Sequence, residues 1–375
     1  MADKIWLSSP TMHGEEMEFI KEAFDTNWVA PLGANVDGFE KDVEDYIGGG
    51  IHAVALSSGT DAIHLALRII GVKPGDIVFC PSLTFAASAN PITYEGGIPV
   101  FIDSERDSWN MDPAALEKAF EKYPNPKAVI SVDLYGTPAK VSEIAWACAS
   151  RGVPMVDDAA EAMGSSFKKV PVCCFGMFGI LSFNGNKIIT TSGGGMLISY
   201  NPDLINKARF LATQAREKAR HYEHKEIGFN YRMSNIVAGI GRGQMKHLDE
   251  HINRKWEIRR RYEEAFADIP EISLNPYLPE TRPNAWLTCI TIDPESPVKP
   301  LQVIEALEKE NIETRPIWKP MHLQPVYREN DFIQVVDGVS VAEDIYNRGL
   351  CLPSDIKNTE EDMDRIINIV RGLFR

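Results

Sequence analysis

His52-Ala-Val-Ala-Leu-Ser-Ser-Gly-Thr-Asp-Ala-Ile-His-Leu-Ala-Leu-Arg-Ile-Ile70 passes from an apolar run, through a turn rich in hydroxyls, into a segment with helical spacing. A short continuous apolar run reads as a strand buried on both faces. The unit then recurs. Runs of strand length fall at 52–57, 76–81, 98–103, 128–133, 154–157, 179–183 and 195–199. Helical patterns at 60–70, 85–95, 113–123 and 140–151 separate several of them. Buried strands alternating with helices predict an α/β fold on a doubly wound, mostly parallel sheet. The last two strands have no helix between them and are free to run antiparallel.

The chain has 375 residues, long for one core, which predicts two domains. Before residue 40 the sequence reads as an arm with one helix at about 14–26 and a loop at 27–33. After residue 200 it turns helical, at 202–223 and then from 234 through 251 to 266. A proline-rich passage at 269–283 signals a domain junction. A βαβ-like pattern follows (285–292, 300–311, 313–316), then a loop and a last helix at 359–374.

Composition excludes several classes of function. A net charge of −14 argues against nucleic acid as the main partner, though an anionic small ligand in a local basic pocket stays open. No run approaches the ~18 apolar residues of a membrane helix. The start, Met-Ala-Asp-Lys-Ile-Trp6, lacks a signal-peptide pattern, so the expected location is cytoplasmic. Cysteines 80, 148, 173, 174, 289 and 351 show no metal-ligand spacing and read as reduced core residues.

Four stretches carry candidate chemistry. In Ser182-Phe-Asn-Gly-Asn-Lys187-Ile-Ile-Thr-Thr-Ser-Gly193-Gly-Gly195-Met196, one lysine stands between glycines that permit close backbone approach. It is either a solvated hairpin residue or a Schiff-base nucleophile whose amine is activated by burial. Ser57-Ser-Gly-Thr-Asp61, at a strand-to-helix passage, is either an ordinary N-cap or an anion cradle. Asp157-Asp158-Ala-Ala-Glu161 ends a buried strand at the edge where α/β sheets bind ligands. A carboxylate there needs a partner, which a protonated pyridine nitrogen, a helix cap or a metal ion would provide. Phe85, after the second strand, either stacks on a planar cofactor or packs in the core.

Two motifs are set aside. Gly239-Ile-Gly-Arg-Gly243 lacks the full dinucleotide fingerprint, follows no strand and reads as a helix-packing face. His221-Tyr-Glu-His224 reads as a polar helix end. The basic residues Lys207, Arg209, Arg216, Lys218, Arg220 and Lys225 read mostly as solvated helix faces.

Taken together, Ser57-Ser-Gly-Thr60, Pro81-Ser-Leu-Thr-Phe85, Asp133-Leu-Tyr-Gly136, Asp157-Asp-Ala-Ala-Glu161, Ser182 to Lys187, Gly193-Gly-Gly195 and Gly228-Phe-Asn-Tyr-Arg-Met-Ser-Asn235 resemble the sugar-nucleotide aminotransferases of the DegT type. Glu313-Thr-Arg-Pro-Ile-Trp-Lys-Pro-Met-His322 extends the resemblance to the C-terminal part. Within that family, Asn184 to Met196, Thr213-Gln-Ala-Arg216 with His221-Tyr-Glu-His224, and Glu313 to Trp318 are similar to the PglE-type branch, which aminates C4 of a UDP-linked 4-keto-6-deoxy-N-acetyl-hexosamine in bacillosamine synthesis.

The resemblance implies a pyridoxal 5'-phosphate enzyme of fold type I, the aspartate aminotransferase-like fold. It implies a large cofactor domain with its N-terminal arm at 1–250 and a smaller α/β domain at 251–375. Lys187 would form the Schiff base and move protons. Asp158 would hold the pyridinium nitrogen, and Phe85 would stack on the ring. Ser58, Gly59, Thr60 and Ser182 would bind the phosphate, with Asn230 reaching it from the second subunit of a homodimer. Glu161 stands where relatives often carry Gln or His facing the ring hydroxyl. Arg315, Trp318 and His322 are candidates for the nucleotide-sugar side. Substrates would be a UDP-keto-sugar and glutamate, with no metal. A same-fold sugar dehydratase is the nearest rival; its relatives often carry His in place of the lysine. A non-catalytic sugar-nucleotide sensor would lose the lysine or the aspartate. A nicotinamide dehydrogenase would need the glycine fingerprint that is missing here.

Overall fold

In the computed structural model, which describes residues 3–374, each apolar run becomes a strand whose C-terminal end meets a turn and, for most, a helix. The first part of the chain forms α1 (Glu15–Asp25), α2 (Ala34–Ile47), β1 (His52–Leu56), α3 (Gly59–Ile70), β2 (Ile77–Pro81), α4 (Ala86–Tyr94), β3 (Ile98–Ile102), α5 (Pro113–Lys122), β4 (Ala128–Val132), α6 (Val141–Ala149) and β5 (Met155–Asp158). Two short strands, β6 (Ser166–Phe167) and β7 (Val170–Pro171), precede β8 (Phe178–Ser182), β9 (Gly195–Ser199) and α7 (Pro202–Ala212). Next come α8 (Asn235–Met245), α9 (Leu248–Phe266), β10 (Ile272–Leu274), β11 (Thr281–Arg282), β12 (Cys289–Ile292), α10 (Pro300–Lys309), β13 (Arg315–Pro316) and β14 (Phe332–Ile333). The chain closes with α11 (Val341–Arg348), β15 (Gly349–Cys351) and α12 (Glu360–Leu373).

The main sheet has eight strands in the order β1-β9-β8-β5-β4-β2-β3-β14. From β14 to β8 neighbours run parallel, while β9 runs antiparallel to both β8 and β1. The β8–β9 pair is the one the sequence left free to run antiparallel. Apolar residues pack on both faces of the sheet. One large core draws on α3 and α7, and another on α2, α8 and the inner faces of β8 and β9. A smaller sheet, β10-β12-β15-β13, is covered by α9, α10 and α12 and has its own core. That core includes Ile5, which pairs with Ile312, so the N-terminal arm is pinned to the smaller sheet.

Three helical readings change. The helix expected at 202–223 stops at Ala212, because Gln214 and Ala215 take left-handed backbone angles (φ 63 and 53) and turn the chain. The returning segment then bonds back, Phe229 N–H to Leu211 C=O and Tyr231 N–H to Ala212 C=O. Gly228 makes this possible, since a Cβ there would collide with the Gln214–Ala215 backbone. His221-Tyr-Glu-His224 therefore lies on an irregular excursion and is no helix end. The long pattern from 234 to 266 is two helices, broken at Lys246-His247. Finally, α2, α11, β14 and β15 occupy segments read as arm or loop.

The small-residue face of α8 behaves as expected. A Cβ on Gly241 would run into the Phe39 ring, and one on Gly243 into Glu16, so α8 packs tightly on α1 and α2. Among the described residues no helix is long and apolar enough to cross a membrane. All six cysteines are free, and five of them are buried.

Candidate active site

The C-terminal edge of the main sheet opens into a cavity of about 280 Å³. Its floor is the start of α3. Ser58 is extended (φ −162, ψ 163), and its Oγ accepts the Asp61 N–H at 3.0 Å, capping the helix. Gly59 and Thr60, the first helical residues, present N–H groups that no helix turn can satisfy. The floor is held close to β8 and β9. A Cβ on Gly59 would lie 3.2 Å from Ser182 Cβ, and one on Gly195 would overlap the Ser58–Gly59 backbone. Ser57, Ser58, Gly59, Thr60 and Ser182 all line the cavity. The Ser57–Asp61 stretch is thus an N-cap whose free N–H groups border the cavity, as an anion cradle requires.

At the other end lies Asp158, the last residue of β5, 4% exposed. Its carboxylate accepts the Ser88 hydroxyl (2.7 Å) and the Ala160 N–H (3.2 Å). Thr84 in turn bonds Ser88 at 2.8 Å. Burial raises its pKa above the usual carboxylate range, while Ser88, Ala160 and the Lys187 charge pull it down. No cation is bonded to it among the described residues, so a cationic ring nitrogen would complete its environment.

Lys187 follows β8 in a turn closed by its own N–H to Asn184 C=O (3.0 Å). Its side chain is 12% exposed, which excludes the solvated hairpin reading. Nζ lies 3.6 Å from Glu161 Oε1 and 4.3 Å from the centroid of the Trp286 ring. The second Glu161 oxygen accepts the Tyr135 N–H at 2.7 Å. Tyr135 has a left-handed backbone (φ 54), which is costly for a bulky residue and fixes that donor. Phe85 is 55% exposed on the cavity wall, 5.8 Å between ring centroids from Trp318. It is not a core aromatic.

Trp318 is the nucleotide-sugar candidate that the fold brings to this cavity. Arg315 lies in β13, in an ion pair with Glu313 at 2.7 Å, away from the cavity lining. His322 is engaged through both ring nitrogens, with Ser82 (2.6 Å) and Glu343 (3.0 Å), and stacks on Phe332. Asn230 is exposed, paired with Thr213, and does not line this cavity. Sequence reasoning did not single out Trp286, Ser88, Asn184 or Asn186, all of which line it. Ser88 stands four residues after Thr84, a helical spacing that could have flagged it. Trp286 carries no local signal.

The glycine triplet is more specialised than the sequence suggests. Gly193 and Gly194 line the cavity, whereas Gly195 lets β9 lie against the Ser58–Gly59 backbone.

A dry lysine, a buried aspartate without a cation and a helix N-terminus on one cavity define a site fit for pyridoxal phosphate. The chain belongs to the DegT/DnrJ/EryC1/StrS aminotransferase family, whose family model matches residues 10–371. It is 50% identical, over all of this chain and 97% of the relative, to EpsN of Bacillus subtilis (strain 168), named provisionally as a pyridoxal phosphate-dependent aminotransferase. It is 36% identical to the GDP-perosamine synthase of Caulobacter vibrioides, over 97% of this chain and 96% of that one. The crystal structure of a DegT DnrJ EryC1 StrS aminotransferase from Brucella abortus superposes with TM-score 0.88 at 29% identity, covering 96% of this chain and 95% of that chain. The protein is thus a pyridoxal phosphate-dependent sugar-nucleotide aminotransferase with the fold of that enzyme group.

Proposed function

We propose that the enzyme moves the amino group of glutamate to C4 of a UDP-linked 4-keto-6-deoxy-N-acetyl-hexosamine, as in bacillosamine-type amino sugar synthesis. The observation that carries the reaction type is the convergence of Lys187, Asp158 and the α3 N-terminus on one cavity. The likeness of Asn184 to Met196 and of Glu313 to Trp318 to the UDP branch of the family supports the sugar. Amination at position 4 also draws support from a relative at 30% identity over 92% of this chain, the dTDP-4-dehydro-2,3,6-trideoxy-D-glucose 4-aminotransferase of Saccharopolyspora spinosa.

Bound pyridoxal phosphate supplies an electron sink for the carbanion formed at the donor's α-carbon. Lys187 removes and returns protons, a contribution of ~10²–10⁴-fold for general acid–base catalysis. Asp158, ionised, keeps the ring nitrogen protonated. Ser58, Gly59, Thr60 and Ser182 hold the phosphate, helped by the helix N-terminus. Phe85 covers the ring. Glu161 holds the Lys187 ammonium when the amine is not engaged. Asn230 completes the phosphate site from a second copy of the chain, in a cytoplasmic homodimer of 1–250 and 251–375 domains.

The second reading is a GDP- or dTDP-linked keto sugar, favoured by the names of the Caulobacter and Saccharopolyspora relatives. Purified enzyme, glutamate and a panel of UDP-, GDP- and dTDP-linked 4-keto and 3-keto sugars, read by product mass, decides. Turnover of the UDP-4-keto-N-acetyl sugar at least about tenfold above the others is expected. Preference for another carrier would overturn the UDP assignment.

A further inference from the structure

The backbone of Lys187 is gripped at the carbonyls on either side of it. The carbonyl before it, Asn186 C=O, accepts the Ser8 hydroxyl (3.1 Å) and the Trp286 indole N–H (2.6 Å). The carbonyl after it, Ile188 C=O, accepts His251 Nδ1–H at 2.8 Å. A carbonyl can only accept, so this bond places the His251 proton on Nδ1. Its Nε2 then faces His13 Nε2 at 2.7 Å. Behind Ser8 stands Lys255, whose Nζ donates to Ser8 Oγ (3.0 Å) and to Ser354 C=O (2.5 Å). With the lysine donating to its oxygen, Ser8 is left with its own proton for Asn186.

Ser8 belongs to an N-terminal strap spanning both parts of the molecule. Ile5 exchanges hydrogen bonds with the segment 311–313. Leu7 C=O accepts the Ser354 N–H (2.7 Å), and the Ser9 N–H donates to Asp355 (2.8 Å). Farther along, Thr11 C=O accepts Gln244 Nε2 at 2.7 Å, on α8. Ser8, Lys187, His251 and Lys255 meet around one small gap at the back of the lysine loop.

We propose that Lys255, acting through Ser8 and the N-terminal strap, is a positioning residue that holds the Lys187 backbone in register with the cofactor cavity. It rests on the reading of Lys187 as the Schiff-base residue. Lys255 does not reach the cavity itself, and it is a costly residue to bury. It is 3% exposed, and burial lowers its pKa to about 7. A hydrophobic residue would fill the space without that penalty, so the amine's value lies in its directed donors. The strap also ties the lysine loop to Ser354 and Asp355 of the smaller sheet's surroundings, so a displacement there is transmitted to Lys187 through two hydrogen bonds.

The test uses Lys255→Met, Ser8→Ala and, as rescue, Lys255→Gln, which restores N–H donors. Ser8 is only half-buried, so its alanine variant removes a donor with little risk to folding. Cofactor-free protein is mixed with pyridoxal phosphate, and Schiff-base formation is followed by absorbance. Borohydride reduction and peptide mass then locate the modified lysine. Expected are about tenfold slower Schiff-base formation and about tenfold lower kcat in the first two variants, with KM within about twofold, as misplacement by a fraction of an ångström predicts. Lys255→Gln recovers most of the loss, and the Lys255→Met/Ser8→Ala pair is no worse than Lys255→Met, since both act through the Ser8 hydroxyl. Wild-type rates in both single variants, with the label on Lys187, overturn the clamp alone. A label on a different lysine overturns the Lys187 reading and the clamp with it.

Discussion

Gly195→Ala tests whether the phosphate floor is built on backbone contact. In the sheet Gly195 lies between Leu56 of β1 and Ser182 of β8, so β9 is held on both sides. A Cβ there would fall inside 3.0 Å of Ser58 C, Ser58 O and Gly59 N, a distance real Cβ atoms do not reach. All three atoms are backbone, so no rotamer change relieves the clash. Overpacking typically costs 1–3 kcal/mol, and a clash with fixed backbone belongs at the upper end, about 3 kcal/mol. Two relaxations are open. If β9 gives way, that energy is lost from the fold. With ~2.1 cal/mol/K of unfolding entropy per residue over a chain this long, Tm falls by about 4 °C. If the Ser58–Gly59 turn gives way, the fold survives and the phosphate cradle is displaced. The same energy then appears as roughly 150-fold weaker pyridoxal phosphate binding. Calorimetry of the cofactor-free protein and titration with pyridoxal phosphate separate the two. Gly193→Ala is the control for stability alone, because no protein atom lies within 4 Å of where its methyl group would stand. A Gly195→Ala protein with unchanged Tm and unchanged cofactor affinity would refute the close-contact argument.

Other outcomes follow from single residues. Lys187→Ala is expected to bind pyridoxal phosphate but not to sustain multiple turnovers, which a product-mass time course checks. Ser88→Ala removes a donor that lowers the Asp158 pKa. That pKa therefore rises further, and the acid limb of the kcat/KM profile shifts to higher pH; an unmoved limb would separate Ser88 from the function of Asp158. Lys255 has a folded pKa of about 7, below its ordinary value. Between about pH 7 and the ordinary ~10.4 the unfolded chain binds the extra proton, so stability rises with pH there. Denaturant melts of wild type and Lys255→Met should therefore show the wild type gaining relative to the variant from pH 7 to pH 10; a constant difference would contradict the buried amine.

What the sequence disclosed tracks what is local. Seven of the eight strands of the main sheet were readable to within a residue or two, because each is an apolar run ended by a turn, whereas the two-residue edge strand β14 lies in a segment read as a loop. Helix α2 escaped notice although Val36, Phe39 and Val43 bury one face. Gly38 interrupts the pattern, and its glycine is explained only by the Arg242 guanidinium, two hundred residues on, occupying its Cβ space. The stop of α7 is likewise tertiary, set by the returning segment at Gly228. Lys187, Asp158 and the Ser58 turn were legible as chemistry because each sits at a strand end. Trp286 was not. It approaches Lys187 from a segment a hundred residues later, with no motif around it, and only the folded chain brings its ring to the lysine and its N–H to the Asn186 carbonyl.

The adjacent pair Asp157-Asp158 shows how strand geometry divides roles that sequence cannot. Successive strand residues face opposite sides of the sheet. Asp158 therefore meets the cavity, while Asp157 points to the other face, where its carboxylate accepts N–H groups from Cys173 (2.9 Å) and Phe175 (3.4 Å). One Asp157 oxygen and one Asp133 oxygen are left buried without an ordinary donor. Two buried carboxylates cannot both ionise beside each other, and one proton held between those oxygens satisfies both. Burial drives both pKa values up, Asp157 to about 7 and Asp133 well above its usual range. The shared proton matters for the cavity, because both groups feel the Asp158 charge. The Asp133–Asp157 pair thus keeps one negative charge off the rear face, while Asp158 alone of the two adjacent aspartates meets the cavity, available to a cationic ring.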